Sequence, residues 1–130
     1  MSLFKKMFSG SDNQKAPKKE LPWIVLNSLE QLDTITELSK TKPVVIFKHS
    51  TRCGISSMTK RQFESNYEVP ENTIALYYLD LIANREISNQ VAIRFQVLHQ
   101  SPQMLVIQNG NTVHAASHYE IQATTINRFI

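Results

Sequence analysis

The sequence predicts an α/β fold in which a central mixed β-sheet of four to five strands is flanked by helices. Short runs rich in β-branched and aromatic residues recur along the chain and alternate with segments of helical spacing. Strands joined by a helix imply right-handed parallel crossovers. The dipeptide Asn109-Gly110 between two apolar runs predicts an antiparallel hairpin near the end. A length of 130 residues is typical of one domain with one core.

Composition excludes several classes of protein. The single cysteine rules out an intramolecular disulfide and a zinc site built from several thiolates. No apolar run approaches the roughly 18 residues of a membrane span. The net charge of +3 lies entirely in the first 20 residues, and the remainder is neutral. Without a basic stripe in the folded part, we expect no nucleic-acid partner. Without a long apolar run, we expect no integral membrane contact. We also expect a cytoplasmic location.

The first 20 residues differ from the rest of the chain. Residues 1–8 are briefly amphipathic, whereas residues 9–20 are polar and interrupted by Gly10 and Pro17. Such a composition buries too little apolar surface to order itself. We therefore expect a flexible basic tail over residues 1–20 and a folded domain over residues 21–130, with a weak membrane-surface or partner anchor as the alternative for the tail.

The first half of the domain contains two predicted strands and two predicted helices. A short strand over Trp23–Leu26 precedes a helix whose start resembles a capping box, with Ser28 at the N-cap and Gln31 three residues later. Pro43 ends that helix, and Val44–Phe47 reads as a strand buried on both faces. A polar stretch then leads to a second helix beginning near Cys53. Its apolar or partly apolar residues recur at helical spacing, at Ile55, Met58, Thr59 and Phe63.

The second half continues the alternation. We predict a strand over Thr73–Asp80, a helix from Asn84 to Arg94, a strand over Met104–Ile107 and its hairpin partner over Thr112–Ala116. A terminal helix is predicted over Tyr119–Ile130. Its inward-facing residues are expected to be Ile121, Thr125, Ile126 and Phe129. A mixed sheet of this order, whose second strand leads to the only cysteine, matches the thioredoxin-like plan.

Cys53 is the candidate nucleophile. It lies where a buried strand gives way to the first turn of a helix, and a thiolate there is stabilised by unpaired backbone N–H groups. Arg52 and Lys48 add positive charge nearby. The alternative is a cysteine buried as a small apolar residue. Such a cysteine is expected inside a strand and not between Arg52 and Gly54, so the position favours a reactive thiol.

Cys53-Gly54-Ile55-Ser56 has the spacing of the Cys-x-x-Cys redox motif, with serine at the second thiol position. Ser56 cannot resolve a mixed disulfide. Its hydroxyl either supports the Cys53 sulfur across the first turn or is a surface hydroxyl or second N-cap, and the sequence leaves these alternatives open.

The chain resembles the YtxJ-type monothiol bacilliredoxins, thioredoxin-like proteins of the bacillithiol system, over roughly residues 22–130. The resemblance rests on three segments: Phe47-Lys48-His49-Ser50-Thr51-Arg52-Cys53-Gly54-Ile55-Ser56, Tyr78-Leu79-Asp80-Leu81-Ile82 followed by Arg85-Glu86-Ile87-Ser88, and His99-Gln100-Ser101-Pro102-Gln103. Family members usually have proline where this chain has Gly54. In that respect the motif is similar to the Cys-Gly-Phe-Ser of monothiol glutaredoxins.

The resemblance implies a thiol–disulfide oxidoreductase that uses Cys53 to remove bacillithiol, or a similar low-molecular-weight thiol, from S-thiolated proteins. It also implies that Pro102 is cis, lies against the sulfur and, with Ser101, docks the substrate. Because the chain has no second cysteine, an external thiol must complete each cycle. We expect a monomer or weak dimer.

Two other functions remain open. The first is [2Fe–2S] cluster carriage like that of monothiol glutaredoxins, and the second is a non-catalytic binding module. No resident metal is expected, because the histidines are scattered along the sequence. They are His49, which could tune the thiol, His99, His114 and His118.

Overall fold

The computed structural model describes residues 20–130. Within this range, three helices and five strands alternate. In order they are β1 (Ile24–Val25), α1 (Glu30–Leu38), β2 (Val44–His49), α2 (Gly54–Asn66), β3 (Ala75–Asp80), α3 (Arg85–Arg94), β4 (Gln103–Gln108) and β5 (Asn111–Ser117). Two short 3₁₀ helices close the chain, His118–Glu120 and Ala123–Phe129. The predicted element order is confirmed up to β5.

The strands form one five-stranded mixed sheet in the order β1-β3-β2-β4-β5. β1, β3 and β2 are parallel, and β4 runs antiparallel to both β2 and β5. β2 lies at the centre, and each of its six residues is buried. This central position explains the unbroken apolar run Val44–Phe47, since a strand covered on both faces has no polar face.

Helices cover both faces of the sheet. On one face, α1 and α3 pack against alternate strand residues such as Val44 and Ile46. On the other, α2 and the terminal 3₁₀ segment pack against Val45 and Phe47, with Phe63 as a central side chain. The three-layer α/β prediction is therefore confirmed. Successive residues of β2 point to opposite faces, so Lys48 lies on the α1/α3 face and His49 on the α2 face.

The predicted capping box at α1 is only half correct. Leu29 occupies the N-cap position, and its side chain makes no capping hydrogen bond. Gln31 does reach back, since its Oε1 accepts from the backbone N–H of Ser28 at 2.9 Å and of Asn27 at 2.7 Å. The Ser28 hydroxyl also bonds to Gln31 Oε1, at 3.3 Å, instead of capping a helix amide. The glutamine thus fixes the chain entering α1.

The predicted terminal α-helix is wrong. Ile121 and Gln122 adopt extended backbone angles between the two 3₁₀ helices, which interrupts any continuous helix. β-Branched residues disfavour a helix there, and the break lets Ile121 and Ile126 both reach the core, where they are 8% and 0% exposed. The other two residues predicted to face inward, Thr125 and Phe129, are half-buried.

The hairpin prediction is confirmed in detail. Asn109 and Gly110 connect β4 to β5 with φ angles of 54° and 78°. Positive φ at both central residues defines the type I′ turn that Asn-Gly favours. The Gly110 N–H donates to Ser39 Oγ at 2.8 Å, which ties the turn to the end of α1.

The predicted flexible tail, apart from Glu20, lies outside the described residues. Among residues 20–130, no helix has the length and apolar character needed to cross a membrane.

Candidate active site

The candidate site residues lie at one edge of the sheet, where β2 and β3 end and β4 begins. β2 ends at His49, paired with Asp80 at the end of β3, while Lys48 pairs with Gln103 at the start of β4. Cys53 follows His49 by four residues, and the His99–Pro102 loop leads directly into β4. The cysteine and this loop therefore lie at the same edge of the sheet.

Cys53 is the N-cap residue of α2, with extended backbone angles of φ −108° and ψ 121°. Its backbone carbonyl accepts the first helical hydrogen bond, from Ser57 N at 3.0 Å, and its own N–H donates to Ser50 O at 3.1 Å. The side chain is intermediate in exposure. An N-cap side chain stands beside the free amides of the first turn, where a negative charge is favoured. The alternative of a cysteine deep in an apolar core does not fit this placement.

The chain on either side of Cys53 lies at the protein surface. Arg52 and Gly54 are exposed. No atom lies within 4 Å of the point where a Cβ on Gly54 would stand. The first turn of α2 is thus open on the side of Gly54, so steric crowding does not explain why glycine occupies this position. Whether Arg52 and Gly54 support the thiolate stays a prediction.

Ser56 is fully buried, with 0% of its surface exposed. Its Oγ accepts from the Ser50 N–H at 3.1 Å and lies 2.7 Å from His49 Nδ1. The surface-hydroxyl alternative is therefore wrong. The hydroxyl instead joins the end of β2, the loop and the first turn of α2, which places the helix start that carries Cys53. Direct support of the sulfur by Ser56 stays a prediction.

His49 is the last residue of β2, directly before the loop of residues 50–53, and is 5% exposed. Burial lowers the pKa of His49 from its usual value, and the nearby Lys60 ammonium acts in the same direction, while Asp80 and Glu64 oppose it. Its ring packs 5.7 Å from that of Tyr78. A histidine with a lowered pKa is neutral at pH 7, so one of its ring nitrogens is an acceptor.

Replacing Ser56 with alanine is expected to destabilise the fold by about 1–3 kcal/mol, because the Ser50 N–H and a His49 ring nitrogen would lose their buried partner. The measurement is the free energy of unfolding from urea denaturation. Ser57→Ala, one position further along the same helix and half-buried, is the matched control. Equal stability of the two variants would contradict the bridging role of Ser56.

Lys48 occupies the opposite face of the sheet and is 0% exposed. Its Nζ donates to Ser88 O of α3 at 3.3 Å and lies 3.3 Å from His99 Nδ1. Burial lowers the pKa of Lys48 to about 8. The ammonium thus binds α3 and the loop before β4, on the face away from α2. Its support of the thiolate stays a prediction.

The loop before β4 contains a cis peptide bond between Ser101 and Pro102, which confirms the expected geometry of that proline. The Pro102 carbonyl accepts from His118 N at 3.2 Å. Two side-chain oxygens of this loop and the start of β4, Ser101 Oγ and Gln103 Oε1, are buried without a hydrogen-bond partner. Contact of Pro102 with the sulfur and substrate docking by Ser101 and Pro102 stay predictions.

The four histidines do not converge. His49 and His99 lie on opposite sides of the sheet edge, His114 is in β5 and His118 begins a 3₁₀ helix. Within residues 20–130, no group of three or more His, Cys, Asp or Glu side chains is arranged to hold a metal ion.

Sequence reasoning missed the contact between Lys48, Ser88 and His99. A signal was present, because a lysine at the end of a strand otherwise buried on both faces needs a polar partner. Its partners come from α3 and a distant loop, and single-sequence patterns do not pair such segments.

Comparison with known proteins agrees with this geometry. The family model for the monothiol bacilliredoxin BrxC matches residues 24–126. The chain belongs to the monothiol bacilliredoxin family. The match spans β1 through Ile126 and includes Cys53 and Pro102, so the family assignment covers the whole candidate site.

Solved structures show the same fold. A protein described as an oxidoreductase with a thioredoxin fold is 30% identical, with a TM-score of 0.69 over 82% of this chain and 91% of the other. Thioredoxin from Malassezia sympodialis is 20% identical, with a TM-score of 0.63 over 86% and 89%. Thioredoxin from Trypanosoma brucei brucei is 23% identical, with a TM-score of 0.59 over 85% of each chain. This bacilliredoxin-family chain therefore has the thioredoxin fold and is a thiol–disulfide oxidoreductase with one cysteine.

Proposed function

We propose that the protein removes bacillithiol, or a closely similar low-molecular-weight thiol, from S-thiolated proteins by way of Cys53. The observation that carries the proposal is the placement of the only cysteine, partly exposed at the start of α2, at the same sheet edge as the cis-Pro102 loop. The open first turn at Gly54 supports access by a disulfide substrate. Membership of the bacilliredoxin family supports the choice of thiol.

The reaction consists of two disulfide exchanges. In the first, the Cys53 thiolate attacks the sulfur of the low-molecular-weight thiol in the mixed disulfide. That S–S bond breaks, the substrate protein leaves as a thiolate that takes a proton from water, and the small thiol stays bonded to Cys53. In the second, the thiolate of a free small thiol attacks the adduct, which restores the Cys53 thiolate and releases the symmetrical small disulfide.

The protein's own residues contribute positioning and charge. The amides of the first turn favour the attacking thiolate, and Arg52, Gly54, Ser56 and Lys48 are proposed to support it. Ser101 and Pro102 are proposed to align the substrate chain beside the sulfur. Without a second thiol, the adduct on Cys53 persists until an external thiol arrives, and we propose that this cycle takes place in the cytoplasm.

The test is transfer of the small thiol between proteins. Incubation with a bacillithiolated protein, in the absence of free thiol, is expected to move the adduct to Cys53, detected by intact-mass spectrometry and peptide mapping. Cys53→Ala is the control and is expected to accept nothing. An unmodified Cys53 after complete mixing with the substrate would overturn the proposal and favour a non-catalytic binding module.

A further inference from the structure

The buried Lys48 ammonium approaches the ring of His99, which is itself an exposed residue. Lys48 Nζ lies 3.3 Å from His99 Nδ1, and Ser88 Oγ lies 3.5 Å from the same ring nitrogen. His99 belongs to the loop that leads into cis-Pro102. Gln103, the first residue after Pro102, pairs with Lys48 across the sheet. The Nδ1 side of the imidazole therefore faces the protein interior, near the point where the loop leads into β4.

The chemistry of the ammonium group selects one form of this histidine. A lysine ammonium has three donors and no acceptor, so His99 Nδ1 must be unprotonated to accept its hydrogen bond. A neutral imidazole with unprotonated Nδ1 carries its proton on Nε2. Burial and the adjacent Lys48 both lower the pKa of His99, which keeps the ring neutral.

The other ring nitrogen of His99, Nε2, then carries the proton and can donate a hydrogen bond. Nδ1 is turned to the fully buried Lys48 and His99 as a residue is exposed, from which we infer that Nε2–H faces solvent. This donor belongs to the same loop as Pro102, at the sheet edge where Cys53 begins α2.

We propose that His99 is a substrate-binding residue whose Nε2–H donates to an oxygen acceptor, a carbonyl or carboxylate, beside the disulfide of the docked substrate. Lys48 is its positioning residue, since it fixes the histidine tautomer and holds the loop to α3. The inference rests on the proposed function and adds a specificity contact to it. The acceptor belongs either to the peptide around the modified cysteine or to the small thiol, and the substrates below separate the two.

The tautomer is tested by ¹⁵N NMR of the histidine rings at pH 7, which needs no enzymatic activity. His99 is expected to show an unprotonated Nδ1 and a protonated Nε2. In Lys48→Met this preference is expected to weaken, with the shifts of the two nitrogens moving toward each other. Lys42→Met is the control, because Lys42 is exposed and bonds to Asn72 O, away from His99. A protonated Nδ1 in the unsubstituted protein, or no change in Lys48→Met, would overturn the role of Lys48.

The contact with substrate is tested by kinetics on one peptide that carries a mixed disulfide with either cysteamine or cysteine. His99→Phe is expected to raise KM about tenfold at unchanged kcat, as expected for loss of one hydrogen bond. His99→Gln keeps an amide donor near the Nε2 position and is expected to restore KM to within about threefold. A defect with both substrates assigns the acceptor to the peptide, and a defect with cysteine alone assigns it to the carboxylate of the small thiol.

The two proposals fail in different ways. Unchanged KM in His99→Phe with both peptides would overturn the binding role of His99 while leaving the transfer reaction intact. No transfer from either peptide or from the bacillithiolated protein by the unsubstituted chain would overturn the proposed function, and the binding role of His99 with it. The NMR result would still decide whether Lys48 sets the tautomer.

Discussion

The Ser56→Cys variant is expected to release the small thiol from Cys53 without any external thiol. Helix geometry places the Cα atoms of residues three apart about 5 Å from each other, and disulfides span Cα separations of about 4.4–6.8 Å. A thiol at position 56 can therefore attack the adduct on Cys53, which forms an internal disulfide and frees the small thiol. The single substitution would convert a monothiol cycle into a dithiol cycle.

Mass spectrometry after one round of transfer measures this change. The unsubstituted protein should retain the adduct on Cys53, whereas Ser56→Cys should release it as the free small thiol and end two hydrogens lighter than its own reduced form. Thr59→Cys, nearly two turns from Cys53 on the same helix, is the control and should keep its adduct. An adduct that persists on Ser56→Cys would show that side chain 56, fully buried in this fold, cannot reach the Cys53 sulfur.

Lys48 is expected to make the stability of the protein rise with pH between about 7.5 and 9.5. Its pKa is about 8 in the folded chain, against 10.5 for an ordinary lysine. Between these values the unfolded chain binds more protons, so raising the pH favours the folded state. The linkage relation gives a gain of about 2 kcal/mol over this interval. Below pH 8 the fold carries the full cost of burying the charged amine.

Urea denaturation at several pH values measures this slope. The Cys53→Ala background removes the only thiol. An upper limit of pH 9.5 stays below the ordinary tyrosine pKa of about 10, and burial raises the pKa of Tyr67, Tyr77 and Tyr78 further. In the same background, Lys48→Met should show a nearly flat profile. Lys42→Met, at an exposed lysine, should retain the slope. A steep profile in Lys48→Met would assign the effect to another group.

Local patterns in the sequence were sufficient for most of the fold. Val44–Phe47 marked the central strand because a strand covered on both faces must be apolar throughout. Asn109-Gly110 identified the hairpin because the type I′ turn requires positive φ at two successive residues. The end of the chain could not be read in this way. Its apolar residues have helical spacing, but Ile121 and Ile126 reach the core through a break in the helix that this spacing does not show.

The candidate site shows the same division. The sequence by itself determined that one thiol stands at a strand-to-helix junction and that any mixed disulfide on it must be resolved from outside, because both follow from chain order and cysteine count. Only the tertiary structure decided the partners of Ser56 and Lys48. His49 and Ser56 meet because α2 folds back over the end of β2, and Lys48 meets His99 because β4 lies beside β2. Such contacts depend on how distant segments pack together, and the spacing of residues along the sequence does not show which segments meet.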